Sequence, residues 1–246
     1  ETNKKHSMVT CIAPRGQGKY MANIAIKDVL LFDEKPKNNN YNKNIFSGTK
    51  YVVTNDKFNI TKEKLYDGKI KKIKKSIVIF MGGVDNENIT NEILKKLISF
   101  PKETLINIII GPLNSNIKLL RKTMSKHNCN IKIHINPANF YEIIAVSEIG
   151  FFGAGITSYE SAGLGTIPLN IAISKFHSKR SIEMEKMKLG LYVGDLISYK
   201  SNMIKKISQL NKHELKEMIQ ENGLKEIDGK GAERIAEKIT AHQLKK

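Results

Sequence analysis

Hydrophobic residues in the middle of the chain occur as short continuous runs that alternate with stretches of helical spacing. The runs that we predict as strands are residues 77–80, 105–111, 132–136, 149–152 and 167–173. The stretches that we predict as helices are residues 89–100, 116–127, 141–147, 158–162 and 178–189. Continuous apolar strands indicate burial on both faces of a sheet, and strict alternation with helices indicates parallel pairing. The pattern therefore predicts an α/β fold with a Rossmann-like, doubly wound parallel sheet.

The two ends of the chain depart from this rhythm. At the start, short strands are predicted at residues 8–13, 22–26 and 50–54, and the polar, lysine-rich residues 59–75 are predicted as a linker. After Val193 the spacing is helical throughout, with helices predicted at residues 202–210, 212–222 and 231–242. We accordingly predict two domains: the remnant of a first Rossmann-like domain at residues 1–68 and a complete Rossmann-like domain at residues 69–246.

Composition narrows the class of protein. Of the 246 residues, 40% are hydrophobic and 26% are charged, which excludes wholesale disorder. No apolar run approaches the roughly 18 residues that a membrane-spanning helix needs, and no secretory leader is recognised. Cys11 and Cys129 do not form a disulfide framework or a metal-binding spacing, so neither a metal site nor a cofactor is predicted. We expect a cytoplasmic protein, and the sequence does not predict its oligomeric state.

The charge balance is strongly basic, with 41 Lys and Arg residues against 24 Asp and Glu residues and a formal net charge of +17. Only four of the basic residues are arginines, whereas base readout and bidentate phosphate contacts rely on arginine. We therefore expect a solvated lysine-rich surface and no specific nucleic-acid partner. A basic surface also suits phosphorylated small molecules.

A first candidate for chemistry is the sequence Met-Gly-Gly-Val-Asp at residues 81–85, between a predicted strand and a predicted helix. Glycines here allow a tight turn and a close approach of the backbone to a ligand, and the helix N-terminus offers N–H groups to a phosphate. Gly82, Gly83 and Asp85 are the candidate binding residues. The alternative is that Asp85 or Asn88 simply caps the helix.

A second candidate is the glycine-rich segment at residues 153–168, which again follows a strand and opens a helix. The amide of Gly155 and the hydroxyls of Thr157 and Ser158 are candidates to face an anion. Glu160, one turn into the helix, is placed to accept hydrogen bonds from two vicinal hydroxyls, as acidic residues do in dinucleotide folds. The alternative is a helix cap with an exposed glutamate. Both segments follow parallel strands, so they are expected at the same edge of the sheet.

Three runs of sequence resemble one family: GGVDNENIT, GAGITSYESAGLGTIP and IDGKGAERIAEKI. They are similar to the nucleotide-sugar hydrolase of the pseudaminic acid pathway and to the related spore-coat polysaccharide proteins. That family resembles the glycosyltransferases with two facing Rossmann-like domains, the GT-B fold, in which the C-terminal domain holds UDP. The resemblance extends over about residues 45–238 and includes SGTKYVVTNDKF.

The resemblance implies roles for the candidate residues. Gly82 and Gly83 would approach the diphosphate or the sugar. Phosphate would be cradled by Gly155, Thr157 and Ser158, and Glu160 would bind the ribose. The implied reaction is hydrolysis of a UDP-linked 2,4-diacetamido-trideoxy sugar to free sugar and UDP, in nonulosonic acid or surface polysaccharide biosynthesis. A glycosyltransferase with a UDP-sugar donor and a non-catalytic UDP-sugar-binding protein are the alternatives.

The chain departs from the family pattern where the catalytic group is expected. The family carries a glycine-rich loop with a histidine near its N-terminus, and residues 15–19 (RGQGK) do not match it. Relatives have Asn-Gln or His-Gln after the strand at 167–173, whereas this chain has Phe176-His177-Ser178. His177 is therefore the candidate catalytic residue, with a surface histidine at the start of a helix as the equal alternative. Without the histidine loop, we expect the chain to bind nucleotide but to hydrolyse UDP-sugar slowly.

Overall fold

A computed structural model describes residues 10–12, 24–27 and 45–243 of the chain. These residues belong to two compact units. The first contains the described residues up to Thr54 together with those from Ile227 onward, and the second runs from Asn55 to Glu226. The predicted domain boundary at residue 68 divides the chain at a different place, and the assignment of residues 1–68 and 69–246 to two Rossmann-like domains stays a prediction.

The first unit contains three parallel strands in the order β1-β2-β3. They are β1 (Thr10–Ile12), β2 (Ile24–Lys27) and β3 (Ile45–Ser47). The prediction of a strand at residues 50–54 was wrong, because the chain turns at Gly48 (φ 115°) and forms a 3₁₀ helix over Thr49–Tyr51. Tyr51 contributes to a small core with Ile24, Ile26 and Ile235.

The second unit is built on six strands in which every neighbouring pair is parallel. The strands are β4 (Ser76–Phe80), β5 (Leu105–Ile110), β6 (Asn130–Ile135), β7 (Ile149–Phe152), β8 (Ile167–Ala172) and β9 (Leu191–Asp195). Their spatial order is β6-β5-β4-β7-β8-β9. The direction of winding reverses between β4 and β7, which is the topological switch point at which doubly wound sheets bind ligands. The predicted fold class is confirmed.

Nine helices are seen in the described part of the chain. They are α1 (Asp56–Tyr66), α2 (Ile89–Lys96), α3 (Ile117–Met124), α4 (Phe140–Val146), α5 (Ile156–Gly163), α6 (Lys175–Lys186), α7 (Tyr199–Gln209), α8 (His213–Glu226) and α9 (Gly231–Gln243). In the second unit, α2 packs against α3 and α7, while α1, α4, α5 and α8 pack in a row. Buried residues such as Ile79, Phe151 and Leu169 lie in the core between strands and helices.

One predicted feature of the second unit was wrong. Residues 59–75 are not simply a linker, because α1 continues to Tyr66, through nearly half of the segment, and buries Phe58 and Thr61. The ammonium group of Lys62 is buried with them and donates to the carbonyls of Gly163 (2.7 Å) and Leu224 (2.8 Å), at the C-terminal ends of α5 and α8. A lysine in this position satisfies helix carbonyls that would otherwise lack a donor.

The sequence pattern also missed the sixth strand, β9, which begins before Val193 and ends at Asp195; the described chain beyond it contains helices α7, α8 and α9, as predicted. The apolar pattern of β9 is short and is interrupted by Gly194 at φ 142°, and its pairing with β8 carries an irregularity at Asn170 and Ile171. A strand with so few consecutive apolar residues does not produce a recognisable run. None of the helices that the structure describes combines the length and the apolar composition needed to cross a bilayer.

Candidate functional site

Two turns lie next to each other at the switch point of the six-stranded sheet. The β4 turn comprises residues 81–88 and the β7 turn comprises residues 153–155. Their strands are paired, with Phe80 opposite Phe152 at the carboxyl ends. A Cβ atom on Gly153 would lie 3.7 Å from Cε of Met81, so the two turns are in contact range. The structure thus brings the two predicted glycine-rich segments together at one edge.

The two glycines of the β4 turn differ in what the fold requires of them. Gly82 has φ 89°, a conformation that other residues rarely adopt. Gly83 is outside that region of φ, and no heavy atom lies within 4 Å of the place where its Cβ would be. Its carbonyl accepts a hydrogen bond from the Leu113 amide at 3.1 Å, which holds the turn against the end of β5. Within the part of the chain that the structure describes, neither strain nor packing explains a glycine at position 83.

Asp85 caps the helix that follows the β4 turn. Its buried carboxylate accepts hydrogen bonds from the amides of Ile89 (2.8 Å) and Thr90 (3.1 Å) at the start of α2. Burial raises the pKa of Asp85, and the hydrogen bonds from Thr90 and Ile89 oppose that rise. Asn88 makes no capping bond with its side chain. The sequence suggested either Asp85 or Asn88 as the residue that caps α2. In the structure Asp85 does so, and both of its carboxylate oxygens accept hydrogen bonds from the helix.

The β7 turn leads directly into α5. Ala154 has φ 56°, and Gly155 at φ −84° is the N-cap residue of α5, where no side chain caps the helix. No heavy atom lies within 4 Å of the place where a Cβ on Gly155 would be. Position 155 is therefore a second glycine with open space beside it and no conformational need to be glycine. The uncapped N-terminus of an eight-residue helix borders that space.

Thr157 and Ser158 occupy different surroundings in the first turn of α5. The Thr157 side chain is half-buried and lowers the pKa of Glu160, which lies three residues farther along the helix. Ser158 is fully buried, and its Oγ atom makes no hydrogen bond among the described residues. The two hydroxyls, which the sequence grouped together, thus do not share one role.

Glu160 is buried, with 5% of its surface exposed, so the alternative of an exposed glutamate was wrong. Its Oε1 accepts a hydrogen bond of 2.7 Å from the hydroxyl of Tyr141, which lies in the first turn of α4. Burial raises the pKa of Glu160, and the hydrogen bonds from Tyr141 and Thr157 oppose the rise. Burial, reinforced by Glu160, likewise raises the pKa of Tyr141. Sequence reasoning missed Tyr141, because nothing local distinguishes it from the apolar residues of α4.

Arg180, on α6, is a second residue of this region that sequence reasoning did not assign. Its guanidinium group donates to the carbonyl of Ala154 at 3.2 Å, directly behind the β7 turn. It is 7% exposed and lies over the rings of Phe176 (4.7 Å to the centroid) and Tyr159 (5.6 Å). The sequence could have singled out Arg180 only by residue type, since it is one of four arginines in a lysine-rich chain.

His177 lies in the first turn of α6, beyond the carboxyl end of β8. Its Nδ1 is 3.1 Å from Oγ of Ser174, the N-cap residue, and Oγ also accepts a hydrogen bond from the His177 amide at 3.3 Å. The side chain is half-buried. His177 is thus at the same edge as the two turns, one strand farther along the sheet. The loop at residues 15–19 and the side chain of Cys11 lie outside the described residues.

The described side chains contain no group of three or more His, Cys, Asp and Glu residues that could hold a metal ion. No protein-family profile matches the chain. A curated relative is the Uncharacterized protein MJ1062 of Methanocaldococcus jannaschii, which is 30% identical over 144 residues. The match covers 57% of this chain and 28% of that protein.

Solved structures share the fold at low sequence identity. The UDP-GlcNAc 2-epimerase of Neisseria meningitidis, bound to UDP-GlcNAc, matches with a TM-score of 0.60 and 19% identity, over 89% of this chain and 62% of that one. The S. aureus MnaA–UDP structure matches with a TM-score of 0.62 and 16% identity, over 90% and 61% of the two chains. MurG of Acinetobacter baumannii matches with a TM-score of 0.59 and 11% identity, over 89% and 60%.

This chain thus spans about three-fifths of the length of these solved structures and less than a third of the curated relative. The likeness confirms an α/β fold with a parallel six-stranded sheet flanked by helices, as in GT-B-like structures. Two of these solved structures contain a uridine nucleotide: the epimerase is bound to UDP-GlcNAc and MnaA is in a structure with UDP.

Proposed function

We propose that this chain binds the nucleotide of a UDP-sugar where the β4 and β7 turns meet, as the nucleotide-holding part of a GT-B-type enzyme. The observation that carries the proposal is the open space at Gly83 and Gly155. Both glycines lie at the switch point of the sheet, and neither is explained by backbone strain or by packing within the chain. Glycine at such a position allows the backbone to come close to a ligand.

The β7 turn supplies the chemistry that a diphosphate needs. The N-terminus of α5 carries no side-chain cap, so its N–H groups and the positive end of its dipole are available to an anion. Arg180 adds a fixed positive charge behind the same turn through its bond to the Ala154 carbonyl. The positive charge of a buried guanidinium group that is hydrogen-bonded to the turn favours an anionic group there. Gly155 would then be in contact with the phosphates, with Gly82 and Gly83 facing them or the sugar from the β4 turn.

Glu160 supplies the recognition of the ribose in this proposal. An ionised carboxylate has about four acceptor sites, and the hydrogen bond from Tyr141 occupies one of them. The others suffice for the two vicinal hydroxyls of a ribose. In the proposal, Asp85 shapes the β4 turn, since α2 uses both of its oxygens. Thr157 lies in the first turn of α5 and lowers the pKa of Glu160, which favours the ionised form that the ribose needs.

The finer proposal concerns the reaction. The resemblance to the pseudaminic acid pathway hydrolase supports hydrolysis of a UDP-linked 2,4-diacetamido-trideoxy sugar, and His177 is the titratable side chain we propose for it. A histidine at the end of β8 could give or take a proton near neutral pH. Transfer of the sugar to an acceptor, and binding without catalysis, are the alternatives that the experiments must separate.

Titration calorimetry tests the binding. We expect UDP to bind more tightly than ATP or NAD, and we expect Glu160→Ala to weaken UDP binding by several-fold to tenfold, the scale of a lost hydrogen bond to a charged group. Glu217→Ala is the matched control, because Glu217 is an exposed glutamate on α8. Equal affinity for UDP and ATP, or unchanged UDP binding by Glu160→Ala, would contradict the proposal.

Release of UDP from the UDP-linked sugar, measured with and without an acceptor, tests the reaction. Release without acceptor indicates a hydrolase, release only with acceptor indicates a transferase, and no release with intact UDP binding indicates a binding protein. If His177 is the acid or base, His177→Ala should slow release by roughly 10²–10⁴-fold, whereas His213→Ala, at an exposed histidine on α8, should not. Undiminished release by His177→Ala would exclude His177 from catalysis.

A further inference from the structure

One hydrogen bond joins α4 to the carboxylate of Glu160 on α5. The hydroxyl of Tyr141 donates to Oε1 of Glu160 at 2.7 Å, and both residues are buried. The orientation of this carboxylate therefore depends on a side chain that belongs to a neighbouring helix.

An ionised carboxylate only accepts hydrogen bonds, so the Tyr141 hydroxyl is the donor in its bond with Glu160. The ring itself is held by edge-to-face contacts with Phe58 (centroids 6.0 Å apart) and Phe140 (5.1 Å). A fixed donor on a fixed ring holds the carboxylate in one orientation.

We propose that Tyr141 is a positioning residue that orients the Glu160 carboxylate toward the two hydroxyls of a ribose, so that the site selects ribonucleoside over 2′-deoxyribonucleoside diphosphates. This inference rests on the proposed UDP site. A carboxylate recognises a vicinal diol only when both of its oxygens are presented at the right spacing, and a 2′-deoxyribose lacks one of the two donors. Orientation of the carboxylate therefore matters for UDP and much less for 2′-deoxy-UDP.

A purely structural role for Tyr141 makes a different prediction. If its bond to Glu160 only ties α4 to α5, removal of the hydroxyl lowers the melting temperature and affects both nucleotides equally. If the bond positions the carboxylate, removal weakens UDP binding and leaves the deoxynucleotide unchanged. The ratio of the two dissociation constants separates these roles, because it cancels any general loss of folded protein.

The experiment measures binding of UDP and of 2′-deoxy-UDP by calorimetry to the unchanged chain and to Tyr141→Phe. We expect the unchanged chain to prefer UDP by about tenfold, and Tyr141→Phe to lose about three- to tenfold in UDP affinity, the usual scale for one hydrogen bond, with no loss for 2′-deoxy-UDP. Tyr192→Phe is the matched control, because Tyr192 donates its hydroxyl to Ser178 at 3.3 Å in the same unit, away from Glu160. It should keep the full preference.

An unchanged preference in Tyr141→Phe, or equal losses for both nucleotides, would overturn the positioning role while the UDP site stands. Failure of the unchanged chain to bind UDP would overturn the proposed function and this inference together.

Discussion

The amino and carboxyl edges of the six-stranded sheet, where its strands begin and end, differ in how far polar groups are satisfied by side chains of the protein. At the amino edge, charged and polar groups satisfy one another. Lys72 donates to the Ser147 carbonyl (2.9 Å) and to the Thr166 hydroxyl (2.7 Å), and Glu148 accepts the Lys75 amide (2.9 Å) and pairs with Lys216. At the carboxyl edge, by contrast, the turns leave open space and an uncapped helix N-terminus. One edge is closed by its own side chains, whereas the turns at the other edge leave open space among the described residues.

The same contrast appears between glycines of the carboxyl edge itself. A Cβ on Gly111 would lie 2.7 Å from the Gly82 carbonyl oxygen and 2.5 Å from that of Gly83, so glycine there serves the packing of β5 against the β4 turn. Among the described residues, no heavy atom lies within 4 Å of the place of a Cβ on Gly83 or Gly155. The comparison separates a glycine that the fold needs from two glycines that we propose a ligand needs, and it can be tested by substitution.

Gly111→Ala should have the largest effect on the fold. The added methyl group would overlap the backbone of the β4 turn, which has no flexible side chain to move aside, so we expect a loss of about 2–3 kcal/mol in the free energy of unfolding. Denaturant unfolding monitored by circular dichroism measures it. A loss below about 0.5 kcal/mol would show that the turn shifts easily, and the packing argument would fail.

Gly83→Ala and Gly155→Ala should do the reverse. Since the new methyl group meets no atom of the chain, stability should stay within about 0.5 kcal/mol of the original. UDP affinity should fall by about tenfold or more, because the methyl group would occupy the space of the nucleotide, a change of roughly 1.4 kcal/mol. Calorimetry with each variant provides the measurement. Full UDP affinity in both would remove these turns from the site.

Glu160→Gln should separate stability from binding. The folded-state pKa of Glu160 lies above its usual value, so its charge lowers stability at pH 7, and this penalty vanishes below the unfolded-state pKa. The amide should therefore melt at the same or a higher temperature, while UDP binding weakens several-fold. When the pH is lowered, the unchanged chain should begin to lose UDP binding at a higher pH than it would with an ordinary glutamate, because Glu160 becomes protonated earlier. A lower melting temperature with intact binding would contradict this.

Lys72→Met should have the smallest effect, at the closed edge. Burial lowers the pKa of Lys72 to about 7, so between pH 7 and about pH 10 the unfolded chain holds a proton that the folded chain lacks. Stability should rise with pH in that window, and the substitution should remove this rise. At pH 7 we expect a gain of less than about 1 kcal/mol, because two lost hydrogen bonds offset the relief of burial. UDP binding should not change.

Prediction from sequence succeeded where the signal is local. The strands β4, β5, β7 and β8 are continuous apolar runs, and the two glycine-rich turns follow strands directly, so their common edge could be deduced from parallel pairing alone. It failed at β9 and α1, for which the local pattern is weak. The sixth strand is broken by Gly194, and α1 looks like a polar linker until the carbonyls that receive Lys62 are in place.

The sequence by itself determined the fold class and the position of the candidate site, because both follow from the period of hydrophobic residues and from the place of glycines after strands. Only the tertiary structure decided the roles of the side chains around that site. Asp85 became a helix cap, Glu160 a buried carboxylate held by Tyr141, and Arg180 a charge behind the β7 turn. Tyr141 and Glu160 are 19 residues apart in the sequence, and Ala154 and Arg180 are 26 apart. These partners meet only when their helices and turns pack together, and the local spacing of hydrophobic residues does not predict which side chains will then be in contact.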